Sequence, residues 1–293
     1  MKKILVSGLT NIETSLKVDS FPINYCPIEY PFFGVDTCVS GVGYNVAKAI
    51  KTLGGEVDLL SLVGDDLPGE MIKKTLVDNH INYHFPYSLK QTPTSVVLVD
   101  KEGRRKIYCD LKDIQESEPL ELNLDEYSIV ALTNINFNRR LLSIAKERNI
   151  PIATDVHVLS NIDDEYNQDF LNNANILFLS NEAIRNNEEE FVRELYNRYH
   201  NDIIIVGCGR EGAILYEGKD DKFYHKNAVA PKGVVSTVGA GDALFSAFIY
   251  FYNKGENVEK CLQKAVLFAG LKISSSGGSN GFVNEEDLLT FVK

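Results

Sequence analysis

Two glycine-containing segments near opposite ends of the chain carry the residue types that phosphate chemistry uses. One is Val235-Ser-Thr-Val-Gly-Ala-Gly-Asp-Ala-Leu-Phe-Ser-Ala-Phe248. A strand-like approach leads into Gly239, Ala240 and Gly241, then into an amphipathic helical pattern that opens with Asp242. Small residues at a helix start let a ligand approach the backbone, and the unpaired N–H groups and helix dipole there favour an anion. A carboxylate beside such an anion hole suits phosphoryl transfer. It accepts the proton of an attacking hydroxyl, while N–H groups and a metal stabilise the transferring charge. Asp is also a favourable first-turn residue for purely structural reasons, so this segment alone leaves both readings open.

The other segment is Ser40-Gly-Val-Gly-Tyr-Asn-Val-Ala-Lys-Ala49. Gly41 and Gly43 again permit close approach before a helix, and Asn45 offers two donors and an acceptor in its first turn. Val46 stands where a dinucleotide fingerprint needs its third glycine, and the segment follows an irregular region instead of a buried strand. No Gly-x-x-x-x-Gly-Lys-Ser/Thr sequence occurs, which excludes P-loop chemistry.

The elements that position these segments alternate. Apolar runs at 3–7, 57–63, 129–132, 152–155, 176–179, 203–206 and 213–216 read as strands. Helical spacing marks 42–53, 71–79, 138–148, 188–199, 241–252 and 258–273, with Gly54-Gly55 closing the first. This βα rhythm predicts an α/β fold, a mostly parallel sheet covered by helices on both faces. Residues 9–38 interrupt it with β-forming residues punctuated by Pro22, Pro27 and Pro31; Tyr30–Phe33 reads as one of its short strand or loop pieces. A hairpin signal, Lys101-Glu-Gly-Arg104, interrupts it again within 92–112. These two stretches read as a small β-sheet lid, 9–38 and 92–112, on a core of 1–8, 39–91 and 113–293.

Composition bounds the partners. Lys plus Arg total 30 and Asp plus Glu 41, a formal net charge of −11, which disfavours general binding to nucleic acid or an anionic membrane. No apolar stretch approaches the ~20 residues of a membrane helix. The start, Met1-Lys-Lys-Ile-Leu-Val-Ser-Gly8, does not read as a signal peptide. Cys26, Cys38, Cys109, Cys208 and Cys261 are scattered with no CxxC pair, which suggests free thiols in a reducing cytoplasm. Glu188-Glu-Glu reads as an acid-rich first helical turn, Arg104-Arg-Lys as a solvated hairpin turn, and the histidines as solvent-facing or packed. Tyr30-Pro-Phe-Phe reads as lid packing or a subunit contact, with stacking on a nucleobase as the alternative.

The pairing of Ser40-Gly-Val-Gly-Tyr-Asn with Ser236-Thr-Val-Gly-Ala-Gly-Asp resembles the PfkB family, the ribokinase-like carbohydrate and nucleoside kinases. Further likenesses run along essentially the whole chain: Gly8-Leu-Thr-Asn-Ile-Glu13, Ser61-Leu-Val-Gly-Asp-Asp-Leu-Pro-Gly69, Asn175-Ile-Leu-Phe-Leu-Ser-Asn-Glu182 and Val206-Gly-Cys-Gly-Arg-Glu-Gly-Ala213. The resemblance implies a ribokinase-like three-layer αβα fold with a β lid, and transfer of the ATP γ-phosphate, with Mg²⁺, to a hydroxymethyl group of a small sugar or nucleoside. It implies Asp242 as base, and Gly239, Ala240 and Gly241 as the anion hole. Asn11, Glu13, Gly41, Val42 and Asn45 would line the substrate, and Gly207, Gly209, Gly212 and Thr237 the nucleotide. Asn181 would act in the metal's water shell, with Glu182 beside it, and the lid edge could pair two subunits.

Four positions depart from the family pattern. Ser236 stands where most members carry an Asp that helps bind a monovalent cation, so a potassium requirement is not implied. Glu13 replaces Asp, Val42 replaces a polar residue or Gly, and Ile184 falls where Asn-x-x-Glu expects Glu. Gly-Val-Gly-x-Asn and Ser236 look more like pseudouridine kinases and some uncharacterised relatives than ribokinase. The readings carried forward are a kinase of a sugar or a nucleoside, a catalytically silent or regulatory ligand-binding homologue and, third, a dinucleotide oxidoreductase, which the missing fingerprint disfavours.

Overall fold

The computed structural model describes residues 3–117 and 122–292; residues 1, 2, 118–121 and 293 of the core segments assigned above lie outside the described residues. The first half of the chain carries β1 (Lys3–Ser7), β2 (Asn11–Lys17), β3 (Val35–Ser40), α1 (Val42–Thr52), β4 (Val57–Leu60), α2 (Leu67–Asp78), β5 (Asn82–His84), β6 (Thr94–Val99), β7 (Arg105–Asp110) and β8 (Tyr127–Leu132). There follow α3 (Arg139–Glu147), β9 (Ile152–Val158), α4 (Gln168–Asn173), β10 (Ile176–Ser180), α5 (Glu188–Tyr199), β11 (Ile203–Gly207), β12 (Ala213–Glu217) and β13 (Lys222–Lys226). Three helices close the chain: α6 (Ala240–Asn253), α7 (Val258–Lys272) and α8 (Glu285–Leu289).

Nine strands form one sheet in the order β13-β12-β11-β10-β9-β8-β1-β4-β5. It is parallel from β11 to β5; β12 and β13 add an antiparallel edge. The central strands are mostly apolar because both faces are covered. Ile4 and Val6 pack with α1, α6 and α7 on one side, while Leu5 packs with α3, α4 and α5 on the other. Ile203 and Ile205 alternate with Ile204 and Val206 in the same way. This is the three-layer αβα arrangement the sequence implied. Among the described residues, no helix is long and apolar enough to cross a membrane.

A second sheet of four strands, β3-β2-β6-β7, stands apart from the first. Its register separates two faces. Glu13 lies beside Cys38 and Ser95, and Ser95 beside Cys109; Thr14 lies beside Thr37 and Val96, and Val96 beside Tyr108.

Several elements differ from the sequence reading. The second helix begins at Leu67, not 71, because the Asp66 carboxylate accepts from the Gly69 N–H (2.9 Å) and Pro68 suits a first turn, whereas apolar spacing starts only at Met71. The strand from Val57 ends at Leu60. β5, β13, α4 and α8 are too short or too polar to register as periodic patterns. Tyr30–Phe33 is no strand and is not packed: Phe32 and Phe33 are 85% and 100% exposed. The approach to Gly239 is a loop whose N–H groups have no sheet edge to join. Those of Val235 and Ser236 instead bond the Ile273 carbonyl at the end of α7 (2.7 and 3.1 Å).

Candidate active site

Two helix N-termini meet above the large sheet. Gly41 caps α1 at φ 100°, where a Cβ would lie 2.5 Å from the Leu9 carbonyl oxygen. Glycine therefore lets α1 start hard against the β1–β2 turn, and the Gly43 N–H donates to the same oxygen (2.9 Å). Gly239 caps α6 at φ 77°, and a Cβ there would come within 2.1 Å of the Gly278 carbonyl. With both caps seated, Asn45 Nδ2 in the first turn of α1 donates to Asp242 Oδ2 in the first turn of α6 at 2.6 Å.

The contact continues into the small sheet. Ser40 Oγ donates to Glu13 Oε2 (2.9 Å) and lies 3.5 Å from Asn45 Oδ1. Glu13, Ser40 and Asn45 are all buried. Asn11 Nδ2 donates to Ser95 Oγ (3.0 Å), while buried Asn11 Oδ1 and Thr10 Oγ1 have no protein partner. Orphaned polar atoms at such a place call for a ligand or water. Val42 is half-buried and packs against the core.

The α6 terminus offers free donors. The Ala240 N–H turns back onto the Thr237 carbonyl (3.2 Å), whereas among the described residues no acceptor faces the N–H groups of Gly241 and Asp242. A Cβ on Gly241 would meet nothing closer than Phe178 at 3.9 Å, so packing does not demand glycine there. The open space lies where an anion would sit against the helix end.

Burial pushes the Asp242 carboxyl above its ordinary range. The Asn45 amide opposes the rise, the charge of Asp155 adds to it, and His157 and Lys272 oppose it. Glu13 is likewise raised by burial, against its bond to Ser40 and the charge of Lys272. Lys272 is fully buried, and burial pulls its ammonium down to about 8 although Asp242 and Glu13 both favour the charged form.

Asn181, directly after β10, is buried and donates to Glu188 Oε1 at 2.8 Å. Glu182 is exposed and lies 3.9 Å from the solvent-exposed Arg105, the first residue of β7. Ile184 is buried in the apolar cluster beside Phe191 and Val192, where a carboxylate would be costly. Gly207, Gly209 and Gly212 lie at or near the β11–β12 turn. A Cβ on Gly207 would be 3.9 Å from Leu244 of α6, one on Gly209 would meet open space, and one on Gly212 would strike the Lys226 carbonyl at 1.9 Å. Packing therefore already accounts for Gly212. Thr237 is exposed at the α6 terminus.

Asp155, His157, Lys272, Glu188 and Arg105 were not singled out for the site from sequence. Asp155 carried a usable signal, since it closes the run 152–155 read as a strand from sequence, and ligands bind beyond the carboxyl ends of such strands. Lys272 carried only a faint one, a lone charge in the apolar run Val266-Leu-Phe-Ala-Gly-Leu-Lys-Ile273.

A doubly covered parallel sheet, with a half-buried carboxylate at a helix terminus that offers free N–H donors, is an arrangement suited to phosphoryl transfer. The description "pfkB family carbohydrate kinase" matches residues 1–285, and the chain belongs to that family, whose members are phosphotransferases acting on an alcohol group. It is similar to the nucleoside kinase of Methanocaldococcus jannaschii, 26% identical over 267 residues covering 89% of this chain and 87% of the relative. Its fold matches a microbiome-derived acarbose kinase, Mak1, with TM-score 0.89 at 23% identity over 99% of this chain and 98% of the other. Arabidopsis thaliana ribokinase, solved with ribose and ATP, matches with TM-score 0.80 at 20% identity over 100% and 99% of the two chains.

Proposed function

We propose that the chain transfers the γ-phosphoryl group of ATP to a hydroxyl, a hydroxymethyl by preference, of a small sugar, with Asp242 as the general base. The observation that carries this reading is the 2.6 Å contact between Asn45 and Asp242 at a helix terminus with unpaired N–H groups. The amide fixes Oδ2 and leaves Oδ1 to accept the substrate's proton. A raised pKa makes the carboxylate a stronger base than a solvated Asp. As the proton moves to Asp242, the alkoxide oxygen bonds to the γ-phosphorus and the bond to the bridging oxygen breaks. That electron pair leaves on ADP. The Gly241 and Asp242 N–H groups face the charge on the transferring group, with Gly239 and Ala240 shaping the turn.

Glu13, Asn11 and Asn45 offer acceptors and donors suited to a polyol, while Gly41 and Val42 close the floor beside them. The strand residues on the Glu13 face of the small sheet include Ser95, Val97, Ile107 and Cys109 and no aromatic ring. A polyol needs hydroxyl partners, whereas nucleobase recognition commonly adds a stacking ring. This favours a sugar over a nucleoside. Residues 9–38 and 92–112 act as the lid, excluding water so that ATP is not hydrolysed. The lid's other face exposes Val96 and Tyr108, with Phe32 and Phe33 in the β2–β3 loop, and would pair two copies into a homodimer.

For Mg²⁺ the oxygen donors available are Asp155 and Asn181, with Glu188 behind Asn181 and Glu182 at the rim. Asp155 fits the ion because it is a buried carboxylate lifted by desolvation and offset only in part by His157. Among the described residues no cluster of three or more ligating side chains exists, as suits an ion held through phosphate and water. When bound, it neutralises phosphate charge. Gly207 and Gly209 leave room for the nucleotide beside α6. The five free cysteines fit a reducing cytoplasm.

The test is ADP release with Mg-ATP and a panel of pentoses, hexoses and nucleosides. Turnover of sugars is expected. Turnover confined to nucleosides would move the assignment to that class, and binding without turnover on any member would favour a silent homologue.

A further inference from the structure

The end of α7 meets the anion-hole loop in an arrangement that phosphoryl transfer chemistry does not by itself require. Lys272 is the last residue of that helix, and its side chain is sealed from solvent. Its ammonium donates to the carbonyl oxygens of Val238 and of Gly277, the latter at 2.7 Å. Val238 precedes the cap residue Gly239. Gly277 precedes Gly278, whose carbonyl lies where a Gly239 side chain would be. One buried cation therefore ties the two loops whose contact sets the position of the α6 terminus.

The surroundings are those of a cation site. Backbone carbonyls point at the centre, and the carboxylates of Asp242 and Glu13 supply the negative field; Cys38 also faces it, and Arg105 is the opposing positive charge. Ser236 contributes no charge, and its Oγ accepts from the Val238 N–H (3.3 Å). A free monovalent ion in such a cage must be recruited from solution and held by ligand charge. An ammonium delivered by the chain is already there, so no carboxylate at 236 is needed to retain it.

We infer that the Lys272 ammonium is a built-in monovalent cation of the anion hole, a positioning residue that fixes the Val238–Gly241 turn and frees the enzyme from potassium. This rests on the kinase reading above. Lys272 does not touch the reacting atoms; it acts through the carbonyls it holds. Its removal leaves those carbonyls facing a gap one small cation could fill.

The test replaces Lys272 and asks whether a cation in solution restores what was lost. Wild-type turnover is expected to change less than about twofold when potassium chloride is exchanged for choline chloride at constant ionic strength. In choline, K272A is expected to lose on the order of 100-fold in kcat, with the sugar KM little changed. Potassium or ammonium should return at least about a tenth of the wild-type kcat to K272A, because a small cation again spans the two loops. A bulky quaternary ammonium should return none. A merely structural lysine would show no such ion-size selectivity. The double variant S236D/K272A is expected to be the more potassium-responsive of the two, since it restores a charged ligand.

A second readout needs no substrate. Potassium, compared with choline, should raise the Tm of K272A and S236D/K272A and leave that of the wild type unmoved. A wild type that requires potassium overturns the inference. So does K272A that keeps full activity in choline, or variants that fold but respond to no small cation in either Tm or rate. If no substrate is turned over by the wild type while the Tm pattern holds, the cation site stands and the kinase reading alone fails.

Discussion

Asp58 and Asp242 are both carboxylates set against the large sheet, and their surroundings drive them in opposite directions. Asp58, on β4, accepts from the Tyr127 hydroxyl (2.8 Å) and from Lys3 (2.7 Å). Burial opposes its ionisation, but these partners prevail and hold it below the usual carboxylate range. Asp242 has one strong donor, Asn45, and a second carboxylate, Asp155, nearby; burial prevails and raises it. The first is an ion-paired anchor, with Oδ2 held by Tyr127 and Lys3 while Oδ1 has no hydrogen-bond partner among the described residues. The second is a charge kept short of partners, as suits the proton acceptor proposed above.

The largest expected effect is on D242N. Loss of the base should lower kcat by about 10²–10⁴-fold while sugar binding is roughly kept. A carboxyl raised in the folded state binds protons more tightly there than in the unfolded chain. Its ionised form therefore lowers stability as pH rises through the shifted value, and D242N should be no less stable than wild type at neutral pH. Unchanged kcat, or a large fall in Tm, would erase the contrast with Asp58.

D58N should behave conversely. Losing a charge-assisted pair costs about 2 kcal/mol in denaturant titration, with kcat per folded molecule unchanged. Asp58 is depressed, so its contribution is present above its unfolded value, about 3.9, and fades as pH falls through the lower folded one. The gap between wild type and D58N should close in acid. A gap that widens there would mean the anchor is not the ionised form.

The smallest effect is on the pH profile. The acid limb of kcat/KM should lie above the ordinary Asp value of about 3.9, because Asp242 must be ionised. Lys272 is charged below about 8 and loses that charge as pH rises through it, so an alkaline limb is expected near that pH. It should be absent in K272A supplied with potassium. An alkaline limb unchanged in that variant would assign it to another group.

Much of the candidate site was legible in the sequence, for local reasons. Gly239, Gly241 and Asp242 are neighbours in sequence because a helix terminus concentrates its free N–H groups in one turn, and Gly41 with Asn45 repeats the device. Lys272 and Arg105 were hidden because each acts on a partner far along the chain, and Asp155, though signalled locally, bears on Asp242 only in the folded chain. Ile184 was visible as a departure, yet its burial and the bond from Asn181 to Glu188 appear only once β10 and α5 are packed. Apolar spacing starts the second helix at Met71, whereas the Asp66 cap sets its start at Leu67, which shows how first turns escape periodicity.

By itself the sequence determined the βα rhythm, the small second sheet and the two helix starts of the candidate site, because backbone geometry ties residue type to local conformation over a few positions. Tertiary structure alone decided that Glu13, Ser40, Asn45 and Asp242 form one chain of contacts. It alone placed a lysine's ammonium on the carbonyls of Val238 and Gly277 behind the α6 terminus. Electrostatic character depends on which groups share a desolvated space, and no local pattern encodes that company.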